Sequence, residues 1–175
     1  KQANGLGASS SIQIGQQLRI PGGKCGSTVS SVNSAVASSS NIAWPTPCCA
    51  KWYSYFGSAR SSTGSHKGLD IGLPIGTAVF APGNGVIAKV VTRDIGLCGL
   101  RAHVRLDSGE FIVNCHMNSV DVRVGQRVSK CQKIGTVGKT GNARTTPPHD
   151  HFEIRVGGIP QNPLPILQKN NEYCA

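Results

Sequence analysis

From Trp44 onward the chain is cut by Gly and Pro into short apolar runs: TAVFA, GVIAKVV, AHVRL, EFIVNCHM, VRVGQRV, KIGTVG and HFEIRV. Each is long enough for a strand and too short for a helix of ordinary length. The 22 Gly and 10 Pro among 175 residues supply the turns between them. Short runs at this spacing predict a mainly β, antiparallel domain. DSGE at 107–110 reads as a hairpin turn between AHVRL and EFIVNC.

The two ends have a different texture. Residues 1–43 are poor in charge and rich in Ser, Gly and Ala. Within them STVSSVNSAVASSS (27–40) reads as a linker or a loose helix with Val29, Val32 and Val36 on one side. Just before it, IQIGQQLRIPGG resembles the closing segment of a LysM peptidoglycan-binding repeat. The expected division is therefore an N-terminal segment over 1–43 and a folded domain over 44–175. The tail IPQNPLPILQKNNEYCA is Pro-rich and reads as irregular, with Cys174 stapling it down. The chain opens at Lys1 with no initiator Met and no apolar leader, so a processed product is expected. No apolar run approaches the 18 residues that suggest a membrane span.

A net charge of +10 calls for an anionic partner or surface, with nucleic acid and an acidic cell wall as candidates. The basic residues are dispersed, and no nucleic-acid motif accompanies them. Nucleic acid is not expected as a partner. Seven cysteines (Cys25, Cys48, Cys49, Cys98, Cys115, Cys131, Cys174) without any Cys-x-x-Cys argue for disulfides in an oxidising compartment rather than a Cys-rich zinc cluster. The adjacent Cys48 and Cys49 are expected to bridge to two different distant partners.

PPHDHFEIR (147–155) sets His149, His151, Glu153 and Arg155 on one strand face. Asp150, Phe152 and Ile154 take the other face, which suits a core. The polar set is either a solvated strand face or the lining of a groove. HKGLD places His66 four residues before Asp70, where Gly68, Gly72 and Pro74 disfavour a helix and favour a loop entering a strand. His116 closes EFIVNCH. A catalytic zinc takes three His, Asp or Glu ligands and keeps a fourth position for water. His66, Asp70, His116, His149 and His151 supply such a set, with two groups over for proton transfer.

HKGLD, GTAVFAPGNGVI, NCHMN, VRVGQRVSKCQKIGTVGKTG and PPHDHFEIR together resemble, in the same order, the M23 family of zinc metallopeptidases of the lysostaphin and LytM type. The resemblance runs from about Trp44 to Val156. It implies a compact, sandwich-like antiparallel domain (a duplicated hybrid motif) with a substrate groove. It also implies one Zn2+ per chain held by His66, Asp70 and His151, with His116 and His149 as the catalytic pair. The implied activity is endopeptidase cleavage of peptide cross-links or stems in bacterial peptidoglycan, by a secreted or periplasmic monomer. A non-catalytic wall-binding or amidase-activating protein on the same fold is the alternative. Such degenerate members lose ligands or catalytic histidines, and all five positions are filled here.

Asp150 stands where the family carries an apolar residue, on the core side, so it must be solvated at the strand end or paired. Asn114 replaces a family Tyr, which removes a ring near the site. Cys131, where Gly is usual, and Cys115 are both expected in disulfides. Glu153 reads as a supporting carboxylate, since no HExxH motif is present. His103 reads as a surface or packed histidine. Trp44, Trp52, Tyr53, Tyr55 and Phe56 read as core and loop packing, with lining of the groove as the alternative.

Overall fold

The computed structural model describes residues 41–47, 51–61 and 64–174, with only the backbone described at 51–53. Cys25, Cys48, Cys49, the stretch resembling LysM, residues 27–40 and the side chains of Trp52 and Tyr53 lie outside the described residues.

The strands are β1 (Lys51–Ser54), β2 (Ala59–Arg60), β3 (Gly64–Ser65), β4 (Leu69–Gly72), β5 (Ala78–Phe80), β6 (Gly85–Val91) and β7 (Arg101–Leu106). They continue as β8 (Phe111–Cys115), β9 (Ser119–Val120), β10 (Arg127–Val128), β11 (Lys133–Thr136), β12 (His149–Val156) and β13 (Ile159–Gln161), followed by the helix α1 (Pro163–Asn170). The main sheet runs β1-β4-β12-β8-β7-β6-β10, with β13 pairing the second half of β12. A second sheet, β5-β11-β9, and the β2–β3 hairpin complete the set. All strand pairing is antiparallel, as the sequence predicts.

Period-2 alternation explains the packing. Leu69 and Ile71 of β4, Phe152 and Ile154 of β12, Ile112 of β8 and Val104 of β7 fill one face of the main sheet and are fully buried. Val79 and Ile134 of the second sheet join the same cluster, which makes the arrangement sandwich-like. Each fully buried side chain of this size contributes roughly 1.5–3 kcal/mol of hydrophobic stabilisation. The core also takes in Ile42 and Ala43, and Trp44 stacks on Tyr173 with ring centroids 5.4 Å apart.

Two expectations need correction. VRVGQRV is not one strand: Gly125 takes φ +81°, Gln126 N–H donates to Arg123 O at 3.1 Å, and only Arg127–Val128 pairs. The Pro-rich tail is not irregular throughout, because Pro163–Asn170 is helical. Pro163 and Pro165 fall in the first turn, where backbone N–H groups have no intrahelical acceptor to lose. The Asn162 side chain caps Leu164 N, and Leu167 is buried against the core.

Cys131–Cys174 ties the tail to the turn before β11, closing a separation of 43 residues. Replacing both cysteines by serine is expected to lower the unfolding free energy by about 2–4 kcal/mol, mainly by freeing the unfolded chain. Urea unfolding of the two proteins checks this, and a change below about 0.5 kcal/mol would count against it.

Candidate metal centre and groove

His151 of β12 lies directly opposite Asp70 of β4. Since Leu69, Ile71, Phe152 and Ile154 face the core, Asp70, His149, His151 and Glu153 face the other side. His66 sits in the loop before β4, where its N–H donates to Ser58 O and its carbonyl accepts from Gly57 N, both at 2.8 Å. Gly68 is required between the two: a Cβ there would stand 2.3 Å from the Phe152 carbonyl oxygen.

The proton positions of these rings follow from their partners. His66 Nδ1 is 2.8 Å from the Tyr55 carbonyl, which can only accept, so Nδ1 carries the proton and Nε2 the lone pair. His151 Nε2 donates to Glu153 Oε1 at 2.9 Å, while Arg155 Nε donates to Glu153 Oε2 at 2.6 Å. That leaves His151 Nδ1 facing the cluster. His66 Nε2, His151 Nδ1 and Asp70 Oδ1 then lie 2.9–3.0 Å from one another. Three electron-pair donors this close repel unless a proton or a cation sits among them.

Without a metal, a proton fills that role. Burial lowers the His151 pKa, but its hydrogen bonds to Asp70 and Glu153 outweigh burial and push it up to about 9. Burial works against ionisation of Asp70, yet the hydrogen bonds from His151 and His66 hold it well below the usual carboxylate range. The second Asp70 oxygen, Oδ2, accepts from Arg60 Nη2 of the β2–β3 hairpin.

His116 follows β8 with φ +61°, a left-handed conformation that carries its ring across to β12. Its backbone N–H donates to Cys98 O at 2.9 Å, and the preceding residue is bonded in the disulfide Cys98–Cys115. His116 Nδ1–H donates to Thr140 O at 2.9 Å and His149 Nδ1–H to Pro147 O at 2.8 Å, so Nε2 is the basic nitrogen of each. The two rings lie 4.9 Å apart, and His149 Nε2 is 3.8 Å from Asp70 Oδ1. Burial, helped by the nearby His149 and His151, lowers His116 to about 4, and burial also lowers His149. Both are neutral bases at pH 7.

All five residues singled out in the sequence line one groove. Glu153 supports His151, as read from its place on the strand. His103 is held apart, with its ring against Phe111 at 5.4 Å. The described aromatics leave the groove bare: Trp44 is in the core, and Tyr55 supplies its carbonyl. Asp150 departs from expectation, because it is 1% exposed and neither oxygen has a partner among the described residues. Burial raises its pKa to about 8, which keeps it a neutral acid at pH 7. Sequence reasoning missed Arg60 and the carbonyls of Tyr55, Thr140 and Pro147. The carbonyls carry no side-chain signal, and Arg60 is brought in by hairpin register rather than by a motif.

Residues 64–163 match peptidase family M23. The chain is 37% identical over 99 residues to the peptidoglycan DD-endopeptidase ShyA of Vibrio cholerae serotype O1, covering 57% of this chain and 22% of that protein. It thus spans about a fifth of that relative's length. A zinc containing peptidase from Vibrio cholerae, solved by crystallography, has TM-score 0.63 and 28% identity over 73% of this chain and 39% of that one. The catalytic domain of the antimicrobial peptidase lysostaphin from Staphylococcus simulans has TM-score 0.61 and 29% identity, over 68% of this chain and 92% of that chain.

Proposed function

The chain belongs to peptidase family M23; from that premise we propose that it is a zinc-dependent endopeptidase acting on peptide cross-links or stem peptides of bacterial peptidoglycan. The observation that carries this reading is the convergence of His66 Nε2, Asp70 Oδ1 and His151 Nδ1 beneath two neutral histidines. Two imidazoles and one carboxylate with a side open to the groove suit zinc's preference for N and O donors and an open position. The outward N–H of each liganding histidine is already held, by Tyr55 O and by Glu153, which fixes the tautomers that binding needs. Similarity to the peptidoglycan DD-endopeptidase ShyA supports the substrate class, and similarity to the antimicrobial peptidase lysostaphin supports peptidase chemistry.

Bound there, zinc would supply Lewis acidity and a water of pKa near ~7. The chain's own residues do the rest. His149 and His116 present basic Nε2 atoms, one of which takes a proton from the attacking water; the Nε2–H so formed hydrogen-bonds the oxyanion and then returns that proton to the leaving amine. Their Nδ1–H bonds to fixed carbonyls hold both rings in place for that work. The disulfides Cys98–Cys115 and Cys131–Cys174 support action in the cell envelope or outside the cell. Among the described residues no helix is long and apolar enough to cross a membrane.

Elemental analysis together with mass spectrometry of fragments released from purified peptidoglycan tests the reading. One zinc per chain and peptide-bond products are expected. Zinc-free protein that takes up none on titration, or intact peptidoglycan, would overturn it.

The protonation state adds a second check. In the metal-free protein His151 is protonated at pH 7, because its pKa of about 9 lies above that pH. Zinc must displace this proton, so uptake at pH 7 is expected to release about one proton. Apparent affinity should then rise about tenfold per pH unit from 7 and level off above 9. Calorimetric titration in buffers of different ionisation enthalpy measures the proton count.

A further inference from the structure

We infer that Arg60 and Lys67 form a carboxylate-reading wall of the groove, so that the cleaved peptide carries a free carboxylate near the scissile bond. The inference rests on the endopeptidase reading above. Within the main sheet β4, β12 and β8 lie side by side, and the Arg60–Asp70 ion pair brings the β2–β3 hairpin against β4. The Leu97–Cys98 loop hydrogen-bonds around His116 at the β8 end and forms the other side with Asn142 and Thr146. The hairpin side carries Arg60 and Lys67, and the far side carries no charge among these lining residues.

Charge accounting in the groove is uneven. Its lining carboxylates are Asp70 and Glu153, and all four oxygens are engaged. Asp70 uses Oδ1 on the two histidines and Oδ2 on Arg60, while Glu153 uses Oε1 on His151 and Oε2 on Arg155. Arg60 spends one donor nitrogen on Asp70, and its side chain stays 35% exposed. Its other donors have no acceptor among the described residues. Lys67 is exposed on the same side and makes no ion pair among the described residues. A planar guanidinium with an open edge and an ammonium lining the same groove are matching donors for a carboxylate. Because the far wall is uncharged, such a contact would also fix which way the peptide runs through the groove.

Stem peptides offer two kinds of carboxylate, one on side chains or branches and one at the chain terminus. The experiment compares kcat/KM on one cross-linked peptide with all carboxylates free, with side-chain carboxylates amidated, and with the terminal carboxylate amidated. Amidating the kind that is read is expected to lower kcat/KM about 10- to 100-fold, the worth of a charged hydrogen bond. The loss should fall mainly on KM. Lys67→Gln, which touches no metal ligand, should weaken cleavage of the free acid, leave the amide unchanged and keep its zinc. Equal cleavage of acid and both amides by the wild-type protein would overturn the inference and leave the endopeptidase reading standing. Equal loss by Lys67→Gln on acid and amide would do the same. No cleavage of any of the three by zinc-loaded protein would overturn both.

Discussion

Changing His149 to alanine is expected to lower peptide hydrolysis by at least about 10²-fold while zinc stays at one per chain. His149 Nδ1–H is spent on the Pro147 carbonyl, and its Nε2 stands 3.8 Å from Asp70 Oδ1, beside the cluster rather than in it. Its pKa is lowered by burial, so at pH 7 the ring is a neutral base. Loss of a positioned proton acceptor therefore costs rate without removing a ligand. His116→Asn is the companion variant, since asparagine tolerates the φ of +61° that the position demands but cannot carry a proton between groups. It should fall by a similar factor. The two losses should combine to less than their product if both rings act on one proton path. If His149→Ala strips the zinc, that ring is a ligand and the roles within His-x-His are exchanged. Metal content and kcat measured on the same preparations separate these outcomes.

The groove was legible in the sequence to the extent that alternation governs it. HDHFEIR fixes which side chains share a face once it is a strand, and Asp70 joins them because β4 pairs with β12 in the register that sets it opposite His151. Glu153 could be assigned its supporting role for the same reason. What could not be read depends on where backbone lands. The carbonyls of Tyr55, Thr140 and Pro147 fix three imidazole tautomers, yet no residue type announces a carbonyl's position. The left-handed turn at His116, which swings its ring beside His149, has no glycine to signal it. The Pro-rich tail reads as irregular because proline breaks helices, yet in the first turn of Pro163–Asn170 it costs no hydrogen bond. Asp150 faces the core as its place on the strand predicts, but the partner that burial calls for is absent among the described residues, and neutrality takes its place.

Asp70→Asn is expected to have the largest effect of any single change: zinc affinity lower by at least about 10²-fold, with hydrolysis falling to match. The carboxylate does three jobs at once. Its Oδ1 faces His66 Nε2 and His151 Nδ1, its charge holds the proton on His151 in the metal-free state, and its Oδ2 anchors Arg60. An amide of the same shape keeps the packing and loses the charge, so one ligand becomes a weak one and Arg60 loses its counter-ion. Breaking a buried ion pair by removing one partner costs about 3–5 kcal/mol, which in affinity would be about two to three and a half powers of ten. The proton count tells this loss from mere unfolding. With Asp70 neutral, His151 keeps Glu153 but loses its largest pKa-raising partner, and the proton released on zinc uptake at pH 7 should fall below one. A folded Asp70→Asn protein that binds zinc as tightly as the wild type, with the same proton release, would show that the metal is held elsewhere.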